Sequence, residues 1–190
     1  MLKAEIRKAY LARRRQLSEG QCHIFNQQLY HHFFLQVDLS FVKVLHLYLP
    51  IEKNHEPDTW QIIDRIRREY AHIRLSVPRV NVVTQQLENF YFEGLHQLQL
   101  NHWGIPEPQQ GVPVPAEKID LVIVPLLAVD KNGNRVGYGK GFYDKFLSQC
   151  RGNCFKCGFS FFEPVEKVSD VDPFDVALNA CLTPSRLHYF

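Results

Sequence analysis

The sequence predicts an α/β fold, a three-layer α/β/α sandwich around a mostly parallel sheet, and three observations carry that prediction. Segments with helical periodicity alternate with short apolar runs along the chain, the order expected of strand–helix–strand units. The longest apolar run, IDLVIVPLLAV at residues 119–129, shows no polar alternation, as in a strand covered on both faces. The 190 residues hold no internal repeat, low-complexity tract or linker, which suits one domain able to bury roughly two-thirds of its unfolded surface.

Each element follows from its local pattern. Residues 2–17 suit a helix, with Leu2, Ile6, Tyr10 and Leu17 on one apolar stripe. Residues 21–36 suit a second, with Ile24, Leu29 and Phe33 toward the core. Residues 42–49 form a short apolar strand ended by Pro50, and Asp58 caps a helix that reaches Tyr70. Residues 73–77 are the next strand, and residues 80–83 and 90–92 pair around a polar turn. Pro106, Pro108, Pro113 and Pro115, with Gly104 and Gly111, make a long irregular connection. Loops of that length in compact domains commonly line sites. The strand 119–129, a helix from about 141 to 149 and a strand over 154–162 complete the pattern.

Composition narrows the function classes. The chain is 45% hydrophobic and 22% charged, as ordinary globular proteins are. Its net charge of +2 is too mild to indicate nucleic acid. No stretch approaches 18 uncharged apolar residues, so no membrane-spanning helix is expected. The basic N-terminus lacks the apolar core of a signal peptide. A cytoplasmic monomer is the expectation. Five cysteines without an export signal read as reduced thiols. The Cys154-x2-Cys157 spacing suggests a zinc half-site, but residues three apart on a strand face opposite sides, so no metal is expected there.

The chemistry concentrates in residues 133–147, GNRVGYGKGFYDKFL. A turn at Asp130-Lys131-Asn132-Gly133 leads into three alternating glycines, Gly137, Gly139 and Gly141, and then a helix start. Glycine removes every second Cβ, so backbone amides can approach an anion. Arg135 and Lys140 supply positive charge and Asp144 a carboxylate, a combination suited to a nucleotide phosphate with magnesium. The segment is neither a Walker loop nor the opening of a dinucleotide-binding unit, because the required spacings are absent. On the first helix Lys3, Arg7 and Arg14 fall within one arc, either a solvated basic face or a second phosphate contact. His31 and His32 on a helix, and His46 in a strand, read as surface or core.

Lys3-x3-Arg7, LYLPIEKNHEPDT, VPRV, WGIPEP, NRVGYGKGFYDKFL and the tail DPFDVALNACLTPSR occur in this order and spacing. Together they resemble the 5-formyltetrahydrofolate cyclo-ligase family over essentially the whole chain. The resemblance implies an α/β sandwich that uses ATP and magnesium to close the ring of a formyl-bearing reduced folate. It implies that Lys3, Arg7 and the loop Arg135, Val136, Gly137, Tyr138, Gly139, Lys140, Gly141, Phe142 and Tyr143 bind ATP. Arg135, Lys140 and Asp144 are then catalytic, with Asp144 and Asp175 at the metal. It also implies that Leu49, Glu56, Trp103, Tyr138 and Tyr143 enclose the folate. Tyr138 stands where some members carry Arg, Lys140 where others carry Gly, and Asn179 where an acid is common. Two rivals remain at this point. One is a nucleic-acid-binding module built on Tyr10, Phe90, Tyr91 and Phe92. The other is an α/β enzyme of sugar phosphates or coenzyme A esters.

Overall fold

The structure, a computed structural model, describes residues 1–101 and 104–190. Four α-helices occupy Lys3–Arg15 (α1), Glu19–Gln36 (α2), Trp60–Glu69 (α3) and Phe142–Leu147 (α4). The strands are Val44–Leu47 (β1), Arg74–Asn81 (β2), Gln86–Tyr91 (β3), Leu98–Leu100 (β4), Pro106–Pro108 (β5), Leu121–Pro125 (β6), Ala128–Val129 (β7), Arg135–Val136 (β8), Phe155–Phe159 (β9), Ala180–Leu182 (β10) and Leu187–Tyr189 (β11). The main sheet has the order β11-β10-β9-β6-β1-β2-β3. From β10 to β2 neighbouring strands run parallel, while β3 and β11 close the edges antiparallel.

Burial alternates across that sheet. Leu45, Leu47, Leu121, Ile123, Cys157 and Phe159 pack on one face beneath α2 and α3, through Leu29, Phe33, Ile62, Ile63 and Ile66. Val44, Val122 and Val124 pack on the other beneath Phe146 and Leu147 of α4. The three-layer architecture is thus present. The α1 helix stands apart and presses Ile6 and Tyr10 onto Ala128 and Val136 of the small β7–β8 ribbon and onto Leu127 just before it.

Local chemistry explains the helix ends. Ser18 accepts the Gln21 amide at 3.2 Å and the Gln21 side chain accepts the Ser18 amide at 2.9 Å, a reciprocal cap. The Asp58 carboxylate accepts the Trp60 amide at 2.8 Å. The helix therefore begins two residues past the expected cap, with the expected side chain doing the capping. Leu2 and Ile24 are exposed, against the core roles read from periodicity; Leu29 and Phe33 carry the α2 contact instead.

Three strand expectations are corrected. The run 119–129 is not one strand: β6 ends at Pro125, and the chain leaves the sheet to form β7 of the ribbon. Its continued apolarity comes from a second core under α1. Residues 73–77 and 80–83 are not separate strands either, because β2 runs unbroken from Arg74 through Asn81 and pairs with β3 from Ser76 to Asn81. Pro78 is tolerated because it lies beyond the part of β2 that β1 pairs, where the strand has one neighbour. The proline-rich connection contains β5, paired with β4. Phe90, Tyr91 and Phe92 are buried, as is Tyr10, so no aromatic surface for nucleic acid exists there.

Cys154 enters the core on one face of the sheet and Cys157 the core on the other. All five cysteines are unpaired. No described helix is long and apolar enough to cross a membrane.

Candidate active site

The glycine segment is aimed by the turn before it. The buried Asp130 carboxylate accepts the amides of Asn132 and Asn134 at 2.9 Å each, the Asn134 side chain at 3.0 Å, and the Val168 amide at 2.9 Å. Burial alone would raise its pKa, yet these four donors hold it below the ordinary carboxylate value. Gly133 takes φ +81°, which closes the turn. The same carboxylate therefore fixes the start of the loop and ties down the tail segment at Val168.

Past β8 the chain is left open. Among the described residues, none of the five amides of residues 137–141 donates a hydrogen bond within the protein. Gly139 and Gly141 have φ of +87° and +70°, so the backbone changes hand along the loop, as in anion-binding nests. The glycines also make room for cations. A Cβ on Gly139 would stand 3.0 Å from the Arg7 guanidinium carbon, and one on Gly137 would stand 2.7 Å from an Arg135 nitrogen. Arg7 is held by donating from Nε to the Gly137 carbonyl at 2.9 Å. Lys140 is exposed and has no partner among the described residues. The Val136 side chain is buried under α1 and faces away from the loop.

The remaining charges neutralise one another. Arg135 pairs with Asp144 at 2.8 Å, and Lys3 pairs with Asp175. Asp144 also accepts the Val176 amide at 3.3 Å, so the two carboxylates are tied to adjoining points of the tail. Among the described residues no group of three or more His, Cys, Asp or Glu could hold a metal. A cation here would need oxygen ligands from a bound phosphate, as magnesium sites commonly do.

Arg14 does not join this arc, contrary to the helical-wheel expectation. It is buried, with one guanidinium nitrogen donating to the Leu126 carbonyl and another to the Tyr138 hydroxyl at 3.3 Å. The Tyr138 hydroxyl donates to Glu56 at 2.6 Å, and the other Glu56 oxygen accepts the Ile51 amide at 2.8 Å. Burial raises the Glu56 pKa, against the pull of those two donors and Arg14. It also raises the tyrosines: Tyr48, Tyr138 and Tyr143 all lie above the ordinary phenol value, each also sensing Glu56. His46 is fully buried beneath Tyr143, 3.4 Å from its hydroxyl, and burial pushes its pKa down to about 3. Leu49 is buried in the core cluster against which Tyr143 rests. Trp103 lies outside the described residues.

The arrangement is a cationic, amide-lined rim joined through Tyr138 to the buried Glu56 carboxylate. The sequence reading missed Arg14, Tyr48 and Asp130 as organisers. Arg14 had one signal, its i+7 spacing from Arg7, but that spacing also fits a solvated face.

Residues 1–184 match the model of the 5-formyltetrahydrofolate cyclo-ligase family. The chain belongs to that family. Among curated cyclo-ligases, it is 32% identical to the Escherichia coli K12 5-formyltetrahydrofolate cyclo-ligase over 144 residues, 70% of this chain and 74% of that one. It is 33% identical to a probable 5-formyltetrahydrofolate cyclo-ligase of Schizosaccharomyces pombe over 110 residues, 50% of this chain and 54% of that one. The fold matches the solution structure of Aquifex aeolicus 5,10-methenyltetrahydrofolate synthetase with TM-score 0.84 and 27% identity, covering 100% of this chain and 93% of that one.

Proposed function

We propose that the protein closes 5-formyltetrahydrofolate to 5,10-methenyltetrahydrofolate at the expense of ATP, releasing ADP and phosphate. The observation that carries this reading is the row of five unpaired amides at residues 137–141 beside Arg7, Arg135 and Lys140, within a chain of the cyclo-ligase family. The formyl oxygen attacks the γ-phosphorus, the bond to ADP breaks, and an imino-phosphate forms. The neighbouring folate nitrogen then attacks the formyl carbon, loses its proton, and expels phosphate as the five-membered ring closes. No covalent protein nucleophile is needed, so the protein's work is positioning and charge neutralisation. Oriented geometry of this kind supplies roughly 7–11 kcal/mol of a barrier.

In this reading the loop amides and Lys140 receive the phosphate oxygens, and Lys3, Arg7 and Arg135 offset their charge. Phosphates compete with Asp144 and Asp175 for Arg135 and Lys3. The freed carboxylates are then the residues that would hold magnesium, which when bound neutralises charge on the transferring phosphoryl group. Glu56 and Tyr138 present a carboxylate and a hydroxyl to the polar edge of the pterin, with Leu49 and Tyr143 on its apolar side. Five unpaired thiols fit a reducing compartment, and we place the enzyme in the cytoplasm as a monomer.

The test mixes the protein with 5-formyltetrahydrofolate, ATP and magnesium and follows the near-ultraviolet absorbance of the methenyl product. Product is expected only when all components are present. Product without ATP, or none with everything present, would sink the reading.

A further inference from the structure

We infer that Phe174 is the platform on which the purine base of the nucleotide stacks. This rests on the nucleotide reading above and adds a contact for the part of the ligand that the glycine loop does not reach. Phe174 is 85% exposed, an unusual state for so large an apolar side chain. Its backbone is nevertheless well anchored. The Asp172 carboxylate accepts the Phe174 amide at 2.9 Å, the Asp172 carbonyl accepts the Asp175 amide at 2.9 Å, and the Asp175 carboxylate accepts the Asp172 amide at 2.6 Å. The ring is therefore presented by a closed turn, with no apolar neighbour covering it.

That turn borders the phosphate rim on both sides. The next residue, Asp175, is paired with Lys3 on α1, and the one after it, Val176, donates its amide to Asp144 on α4. Phe174 thus stands on the segment that spans from the first helix to the end of the glycine loop. The N-terminus adds to the same rim. The Met1 ammonium donates to the Ser169 hydroxyl at 3.0 Å, the Met1 carbonyl accepts the Ser169 amide at 3.0 Å, and the Lys3 amide donates to Asp170 at 2.7 Å. Met1, Leu2 and Val171 are exposed on these two hydrogen-bonded strips. Single exposed apolar residues are ordinary. Here four of them are carried on two segments laced together beside Lys3, so exposed apolar groups border a cationic grip. A nucleotide has that division of chemistry, a flat aromatic base joined to a polyanion, and base–aromatic stacking is favourable for any base because each has a π-face.

The experiment is a calorimetric titration of the full chain with ATP and, separately, with inorganic tripolyphosphate, in the absence of folate. Tripolyphosphate reads the amide-and-cation grip alone; ATP reads the grip plus the base. Phe174→Ala is expected to weaken ATP about tenfold or more while leaving tripolyphosphate unchanged, and Phe174→Trp is expected to retain ATP affinity. Because the ring is exposed, both variants should melt with the wild type. Equal weakening of both ligands, or no weakening of either, overturns the inference while leaving the grip intact. Wild-type protein that binds neither ligand overturns the nucleotide reading and this inference together.

Discussion

Around the glycine loop Lys3, Arg7, Asp144 and Asp175 keep partial exposure while Arg135 is nearly buried, and each acid already has a cation. Beside them Glu56, Tyr48 and His46 are buried and Tyr138 and Tyr143 half-buried, and burial drives each toward its neutral form. The first region is built to exchange partners. Its ion pairs sit at the loop's edge, with Lys3, Asp144 and Asp175 each about a fifth exposed and Arg135 nearly buried. A polyanion that displaced the acids would have to re-pair Lys3 and Arg135 itself, since a cation left buried and unpaired is costly. The second region is built not to change, since its hydrogen bonds are made in advance and any unpaired group there carries a full desolvation penalty. In the proposed reaction the contrast would divide the labour, the first region meeting charge and the second shape.

That division can be broken by substitution. The largest effect is expected from Asp144→Ala and Arg7→Ala, which should lower turnover by about ten- to a hundredfold, the scale of losing one charge-stabilising contact. Both variants should stay folded, with Asp144→Ala melting lower because it leaves the nearly buried Arg135 without its carboxylate. Near-normal steady-state rates in both variants would remove the loop from the active site.

His46 sharpens the other side. Its folded pKa of about 3 lies below the ordinary 6.5, so the stability it contributes is present above pH 6.5 and is lost as pH falls toward 3. By pH 5 the loss should reach about 2 kcal/mol. His46→Gln should show a correspondingly flatter decline in melting temperature between pH 7 and 5. Parallel declines would mean that His46 titrates normally and is reached by water.

A smaller change is expected from Tyr138→Phe. It deletes the 2.6 Å bond to Glu56 and leaves a buried carboxyl oxygen without its donor, at about 1–2 kcal/mol in chemical denaturation. The Glu56 pKa should rise further, because the lost bond was one of the contacts holding it down. An unchanged denaturation midpoint would show the bond to be replaced by water. The least effect concerns Cys154 and Cys157, which face opposite cores. Metal analysis of the purified protein should find no stoichiometric zinc, and one equivalent per chain would contradict the strand geometry.

The same contrast governs what could be read from residues alone. The glycines, Arg7, Arg135, Lys140 and Asp144 are recognisable because backbone freedom and charge are properties of single residues at short spacing. The pairing of Lys3 with Asp175 is not, since 172 positions separate them. Arg14 illustrates the ambiguity: the middle arginine of Arg13-Arg14-Arg15 suits a solvated basic face, yet it is buried against Leu126 and Tyr138. The end of β6 was hidden because Leu126 and Leu127 continue the apolar run into different cores. The tail strands β10 and β11, three residues each, are too short to show a period.

By itself the sequence determined the layer order, the open loop and its cations, because helical and strand periods and glycine backbones are local properties of the chain. Only the tertiary structure decided which cation neutralises which acid, that Tyr138 meets Glu56, and that His46 is buried beneath Tyr143. Burial and long-range pairing depend on what the rest of the chain brings alongside, and no local pattern encodes that.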